Sequence, residues 1–90
     1  MTIQAGAALS GPYDSQREAA KAAKDIYDLP PGNRSWTVAN QKLLLDACAA
    51  AGVYLKGYDH EVIAWLAGFE PSTCAVIAGL ITRAGRGGQQ

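Results

Sequence analysis

The sequence has little histidine, little cysteine, no net charge and no long apolar run. One histidine and two cysteines among 90 residues supply no set of ligands at a recognisable zinc spacing, so no metal site is predicted. Eight basic and eight acidic residues cancel, so no overall field attracts nucleic acid or an anionic membrane. The apolar runs are shorter than the roughly 20 residues that a membrane-spanning helix needs. We therefore expect one small globular domain without a membrane segment.

Signals for export and for catalysis are also missing. The N-terminus lacks the basic and apolar regions of a signal peptide, which predicts a cytoplasmic location. The single imidazole, His60, lies between Asp59 and Glu61, and adjacent side chains at a helix start point in different directions and form no triad. The Gly-Arg-Gly-Gly segment at 85–88 has neither the preceding strand nor the following helix of a phosphate-binding loop. The protein is expected to be no enzyme and to use no cofactor and no small-molecule substrate.

The two cysteines, Cys48 and Cys74, lie inside apolar helical patterns. Cysteine in such a pattern is usually a small buried hydrophobic residue, which is the favoured prediction for both. A disulfide or a redox pair is the alternative.

The chain does contain helical periodicity in its first half. Ser15 and Glu18 predict a capping box at the start of a helix with a shallow, alanine-rich face. Pro30 pushes the residue before it out of the helical region and is expected to end this helix. A second, strongly apolar helix is predicted from after Ser35 to about residue 51, with Gly52 in a Schellman stop.

Two further helices are predicted in the second half. Asp59 is expected to cap a short helix that ends at Gly68. Pro71 suits the first position of a last helix, which Gly85 is expected to stop. The predicted architecture is all-α, a compact four-helix domain over residues 14–85, with a flexible N-terminal arm at 1–13 and a flexible tail at 86–90.

The last two helices have the spacing of a helix-turn-helix motif. Ala64 would be the small residue that faces the second helix, and Gly68 would be the turn glycine four positions later. The inward positions would be filled by Ile63, Phe69, Cys74 and Ile77.

The face that would enter DNA is poor in side chains that read bases. In this register it holds none of the Arg, Lys, Asn and Gln that read most base edges; its residues are Glu70, Pro71, Ser72, Ala75, Val76 and Gly79. Residues 59–82 contain three acids and no Lys or Arg, whereas DNA affinity depends largely on neutralised phosphates. If the protein binds DNA, the expected contacts are Ser72, Thr73 and Ala75 to bases, and Arg83, Arg86, Arg34 and Lys56 to phosphates.

The last helix is apolar nearly all round, which indicates that other helices or a partner chain cover it. Trp65, on the outer side of the preceding helix, is either an ordinary core residue or an interface anchor of the kind enriched at binding hot spots. We favour a non-catalytic interaction module that binds itself or another protein through an apolar face. The alternative is a dimeric helix-turn-helix transcriptional regulator. The predicted protein-interface residues are Trp65, Val76, Tyr54 and Tyr58.

Several short segments of the second half also carry a resemblance. They are Tyr58-Asp59, Ala64-Trp65-Leu66-Ala67, Glu70-Pro71-Ser72-Thr73, Val76-Ile77 and Leu80-Ile81-Thr82-Arg83-Ala84. Together they resemble small uncharacterised proteins of actinobacteria and their phages that have a helix-turn-helix-like C-terminal half. The resemblance covers about the last 30 residues and implies a phage or actinobacterial context. It implies no particular activity. The predicted partner is a second copy or a host or phage protein.

Overall fold

Helices make up most of the chain in a computed structural model, which describes residues 10–30 and 35–88. Within these residues the helices are α1 (Gln16–Ala22), α2 (Lys24–Tyr27), α3 (Ser35–Ala50), α4 (Gly57–Leu66) and α5 (Pro71–Gly88). The described residues form no strand, and the predicted all-α class is confirmed. None of these helices has the length and hydropathy of a membrane-spanning segment.

The first predicted helix forms, but it is divided at Ala23. Ser15 Oγ accepts a hydrogen bond from the Glu18 amide at 3.2 Å, as predicted, while the Glu18 carboxylate accepts from the Asp14 amide at 3.0 Å. Ala23 has a ψ of 18°, which is outside the helical range and separates α1 from α2. Ala19 and Ala23 are both buried, so the predicted alanine-rich face does point inward.

The end of α3 is the predicted Schellman motif. Gly52 adopts a φ of 75°, a left-handed conformation that glycine enters without a steric penalty. Its amide donates to the Ala49 carbonyl at 3.1 Å, and the Val53 amide donates to the Cys48 carbonyl at 2.9 Å. These two bonds satisfy carbonyls that the helix leaves open at its C-terminus.

The beginning of α4 differs from the prediction. The helix begins at Gly57, and the Asp59 carboxylate accepts a hydrogen bond from the Lys56 amide at 2.9 Å. Asp59 therefore caps the helix from within its first turn, as the acidic member of a capping box does, and is not the N-cap residue. An aspartate at the N-cap and an aspartate in the first turn are both typical of a helix start. The sequence therefore could not distinguish the two positions for Asp59.

The end of α5 was also predicted wrongly. The helix continues past Gly85 to Gly88, so residues 86–88 of the predicted tail are helical, and residues 89–90 lie outside the described part. A Cβ atom at Gly85 would lie 2.6 Å from Ala51 Cβ and 2.7 Å from Ala51 Cα. Gly85 therefore lets α5 approach the backbone just after α3 closely and does not stop the helix.

The described end of the predicted N-terminal arm lies against α5. Ser10 is buried, and its hydroxyl accepts a hydrogen bond from Arg86 Nη2 at 2.8 Å. A Cβ atom at Gly11 would lie 3.4 Å from Arg83 Nη2. Residues 10–13 thus belong to the folded domain, whereas the rest of the predicted arm, residues 1–9, lies outside the described residues.

The centre of the fold is α5. It packs mainly against α3 on one side and α1 on another, while α4 and α2 pack against α3. Other helices therefore cover much of this apolar helix, as the sequence indicated. The two cysteines are buried and free, which confirms their prediction as small hydrophobic residues. The buried cluster consists of Leu44, Ala47, Ala67, Cys74 and Ala78, with Leu43, Ile63, Leu66, Ile77 and Ile81 packed around it.

Candidate functional site

The described residues show an unusual division of apolar side chains: the buried ones are small, and many of the large ones are exposed. The buried apolar set is Ala19, Ala23, Leu44, Ala47, Cys48, Ala67, Cys74, Ala75 and Ala78. The exposed large set is Leu29, Trp36, Val38, Val53, Tyr54, Tyr58, Val62, Trp65, Phe69 and Leu80. A scattered exposed hydrophobic residue needs no explanation, but a contiguous group of them marks an interaction site.

One such group lies along α4. Tyr58, Val62 and Trp65 are spaced four and three residues apart, which places them on one side of the helix, and Phe69 follows in the turn after it, with its ring against Trp65. Their exposed fractions are 76%, 40%, 66% and 43%. The opposite side of α4 packs into the core through Ile63 and Leu66. We call the exposed side, consisting of Tyr58, Val62, Trp65 and Phe69, the aromatic face of α4.

The aromatic face has a defined shape. The rings of Trp65 and Phe69 meet edge to face, with centroids 4.9 Å apart, an arrangement that favours a fixed geometry. Tyr58, Glu61, Val62 and Trp65 line an open groove of about 380 Å³. Because every lining residue comes from one helix, a second body is needed to enclose this groove.

The edge of the aromatic face is acidic. Glu61 lines the groove together with the aromatic rings, and it is exposed. Residues 57–69 include Asp59 and Glu61 but no lysine or arginine. The groove therefore has a negative charge beside its apolar surface, and the nearest lysine in sequence is Lys56, the N-cap residue of α4.

Asn40 of α3 positions the end of this face. Its buried side chain donates from Nδ2 to the carbonyl oxygens of Ala67 at 3.0 Å and of Phe69 at 2.9 Å. The two bonds satisfy carbonyls that follow α4 and fix the turn into α5. Oδ1 has no protein partner. If the nitrogen and oxygen of the Asn40 amide were exchanged, Oδ1 would face two carbonyl oxygens that it cannot bond. The two hydrogen bonds therefore determine the orientation of the amide.

The sequence analysis missed Asn40, although the sequence holds a signal for it. Trp36, Asn40 and Leu44 are spaced four residues apart, so the amide lies in an otherwise apolar helical stripe. A polar side chain in such a position requires a hydrogen-bond partner from elsewhere in the fold. The identity of that partner, a turn 27 residues later, could not be read from local pattern.

The four predicted protein-interface residues are only partly brought together. Tyr58 and Trp65 line the same groove. Tyr54 is 81% exposed in the connector before α4, but it does not line the groove. Val76 is partly buried on α5 and lines a different cleft, between the N-termini of α1 and α5. Val62, which also lines the groove, was not predicted.

The predicted helix-turn-helix register is wrong at two positions. Ala64, expected at the crossing of the two helices, is exposed, whereas Ala67 is buried in the core. Phe69, expected to point inward, is on the surface because it continues the aromatic face. The α4 and α5 backbones make few close contacts with each other, since both pack chiefly on α3. Ile63, Cys74 and Ile77 do contribute to the core, as predicted.

The candidate base-reading residues are covered rather than displayed. Ser72 is 3% exposed and Ala75 is 0% exposed, while Thr73 is exposed. The physical reason is α1, whose small Ala19 lines a cleft together with Ser72 as α1 packs against α5. In this fold neither Ser72 nor Ala75 presents its side chain to a duplex.

The candidate phosphate ligands are found in different settings. Arg83 Nε donates to the Gly79 carbonyl at 3.2 Å, and Arg86 donates to Ser10, so both bond within the domain. Lys56 is exposed just before α4. Arg34 lies outside the described residues. Among the described ones, Arg83 and Arg86 lie about one turn apart on α5, near residues 10–11, whereas Lys56 lies at the start of α4.

Side chains suited to other chemistry are few in the described part of the chain. It contains no group of three or more His, Cys, Asp or Glu residues that could hold a metal ion. Burial raises the pKa of the Cys74 thiol, and burial together with the charge of Asp59 raises the pKa of Cys48. Both shifts favour the unreactive thiol over the nucleophilic thiolate.

Protein-family models, curated proteins and solved structures were compared with this chain, and none of them matches it.

Proposed function

We propose that the protein is a non-catalytic interaction module that binds itself or another protein through the aromatic face of α4. The observation that carries the proposal is the exposure of Trp65 and Tyr58 beside Val62 and Phe69. Apolar surface gains roughly 25 cal/mol for each Å² removed from water. Tryptophan and tyrosine also dominate the residues that contribute most to binding.

The area of the aromatic face fits this role. Aromatic side chains each bury about 150–250 Å² when covered, and the exposed fractions of Tyr58, Trp65 and Phe69 then leave on the order of 400 Å² of contact surface. The largest apolar patch of a typical monomer is about 300–600 Å² and is often functional. Tyr54, on the preceding connector, would extend the surface if the partner reaches it.

The fold supports a rigid presentation of this surface. Ile63 and Leu66 anchor one side of α4 in the core, and Asn40 fixes the turn after it. In this proposal the turn between α4 and α5 and the core contacts of α4 keep the outer side of α4 exposed to solvent. Pre-organised binding residues lose less conformational entropy when a partner covers them.

Photo-crosslinking from two positions tests the proposal. A benzoylphenylalanine at position 58 lies in the aromatic face, and the same residue at position 38 replaces another exposed side chain, on α3. After irradiation in the cell and as purified protein, we expect position 58 to give a discrete adduct that Trp65→Ala removes. Equal adduct yields from both positions, or insensitivity to Trp65→Ala, would contradict the proposal.

The DNA-binding alternative receives less support. Its base-reading candidates Ser72 and Ala75 are buried, and residues 59–82 are acidic. Titration of fluorescent random duplex DNA at low and moderate salt discriminates the two functions. Salt-sensitive binding that is lost in Arg83→Ala and Arg86→Ala would favour the regulator, whereas the interaction module predicts no binding even at low salt.

A further inference from the structure

We infer that the aromatic face of α4 receives an amphipathic helix of another protein that carries lysine or arginine beside its apolar stripe. This inference rests on the proposed function and names the chemistry of the partner. Three features of α4 lead to it: the position of Glu61, the exposed aromatic rings and the length of the face.

Glu61 determines the charge of the partner. Its carboxylate belongs to the lining of the groove, so a body seated there removes it partly from water. A carboxylate that loses water needs a cation or hydrogen-bond donors in return. A lysine or arginine of the partner at this edge would meet that need.

The same carboxylate argues against a second copy as the main occupant. In a symmetric pair, the α4 of one copy would lie on the α4 of the other, because a two-fold interface uses the same patch twice. Residues 57–69 contain no lysine or arginine, so a second α4 offers Glu61 no basic side chain from within the face, and only Lys56 just before the helix. A different chain with basic residues along its apolar stripe is electrostatically more complementary than a copy.

The exposed rings strengthen the preference for a cation. Tyr58 is three residues before Glu61 and Trp65 four residues after it, so both rings neighbour the carboxylate on the helix surface. A lysine or arginine that pairs with Glu61 can lie on the exposed face of either ring and gain a cation–π contact. Arginine suits this position best, since its planar group both stacks and bonds a carboxylate through two donors.

The length of the face indicates a helix as the partner element. From Tyr58 to Trp65 the side chains follow α4 for about 10 Å, at 1.5 Å per residue, and Phe69 in the turn after the helix extends this stripe. An apolar stripe along one helix is complementary to the stripe of another helix packed beside it, with anchors every three or four residues. Two or three turns of the partner suffice to cover it.

Two labelled peptides test this inference with the full chain. One is an 18-residue amphipathic helix of leucine and lysine, and the other has the same leucines with glutamate in place of lysine. Fluorescence anisotropy is recorded as the protein is titrated into each peptide at low and moderate salt. We expect the lysine peptide to bind about tenfold or more tightly than the glutamate peptide, with the preference reduced by salt.

Variants locate the binding. Trp65→Ala should weaken binding of the lysine peptide by about tenfold or more, and Glu61→Lys should reverse the preference toward the glutamate peptide. Val38→Ala, on α3, and Asp25→Lys, on α2, alter exposed residues of other helices and serve as matched controls for lost apolar surface and for changed net charge. Circular dichroism confirms that each variant is folded.

The outcomes separate this inference from the proposed function. Equal binding of both peptides, or equal effects of Glu61→Lys and Asp25→Lys, overturns the basic helix. Binding of neither peptide, together with a dimer in sedimentation that Trp65→Ala dissociates, overturns it also and identifies a second copy as the occupant, which leaves the proposed function intact. Binding of neither peptide, no dimer and no position-58 adduct overturn both.

Discussion

The Asn40 side chain donates to two backbone oxygens of the α4–α5 turn, those of Ala67 and Phe69. Asn40→Ala leaves both carbonyls without this donor, and a buried group that loses its partner costs about 1–3 kcal/mol. Asn40→Asp should cost more, because at neutral pH it places a negative oxygen where the donor was. Urea denaturation at pH 7 measures both losses of unfolding free energy.

A matched control makes the Asn40 prediction specific. Gln41→Glu is the same amide-to-carboxylate change one residue later, at a partly exposed position, and should shift the unfolding free energy by no more than about 0.5 kcal/mol. If Asn40→Asp is as mild as Gln41→Glu, the side chain does not hold the turn.

Gly85 is a second position at which adding a single Cβ atom is expected to change the free energy of unfolding. Gly85→Ala would place a Cβ 2.6 Å from Ala51 Cβ, so the two segments must move apart at a cost of about 1–3 kcal/mol. This exceeds the roughly 1 kcal/mol that alanine gains over glycine in a helix. Thermal unfolding should show Gly85→Ala as less stable than the parent protein.

Gly57→Ala is the corresponding control on α4. A Cβ there has no neighbour within 4 Å, so the substitution adds helix propensity without a clash and should be neutral or stabilising by up to about 1 kcal/mol. Stabilisation by both substitutions would mean that α5 and the end of α3 do not approach as closely as the structure shows.

At the scale of elements, side chains of α1 and α2 form hydrogen bonds with residues at the start of α5. The Tyr27 hydroxyl donates to Glu70 Oε1 at 3.2 Å and accepts from the Ser72 amide at 3.3 Å. Gln16 Nε2 donates to the same Glu70 oxygen at 3.4 Å. These bonds hold the N-terminal helices over the face of α5 that a DNA-reading helix would leave open.

Removing one hydroxyl tests this attachment. Tyr27→Phe abolishes both hydrogen bonds but keeps the ring that packs edge to face on Trp36, with centroids 5.2 Å apart. We expect a loss of about 1 kcal/mol and faster amide exchange in α1 and α2 than in α3, because the contacts of α3 with α4 and α5 remain. Hydrogen–deuterium exchange by mass spectrometry measures it. Uniform acceleration across all helices would show that α1 and α2 do not open separately.

How far each element could be predicted depends on how local its cause is. The Ser15 cap and the Gly52 stop are set by residues within one helical turn, and both were predicted. The break in the helix at Ala23 could not be predicted, because no glycine or proline lies near it in the sequence. Gly85 lies inside α5 where the helix passes close to Ala51, 34 positions earlier. Local pattern contains no trace of such a contact.

The residues of the candidate site also differ in whether local pattern could predict their positions. Helical periodicity placed Trp65 on the outer side of α4 but left open whether it is a core or an interface residue. Tyr58 was expected before the helix, and it joins Trp65 on one side of α4 because the helix begins at Gly57. The burial of Ser72 and Ala75 follows from the docking of α1 against α5. Two alanine-rich surfaces carry no pairing information in their sequences, so periodicity could indicate that α5 is covered but not which helix covers it.

At the scale of the whole molecule, the side chains that form the core and the side chains proposed to bind a partner are different sets. The buried set consists of alanines and cysteines around Leu44, and close approach of helices replaces large interlocking residues. The aromatic residues of α4 add little to this core because they face away from it. A surface that contributes little to folding can be retained for another reason, and binding is the reason that its chemistry supports.

Trp65→Ser and Leu44→Ala, compared side by side, test this division. Leu44 is buried in the core cluster, and its truncation should cost about 2–5 kcal/mol. Trp65 loses only its edge contact with Phe69, worth about 0.5–1.5 kcal/mol, so Trp65→Ser should stay folded with a similar melting temperature and lose binding. If Trp65→Ser unfolds as readily as Leu44→Ala, the aromatic face is part of the core of this fold, and exposure alone no longer argues for a partner.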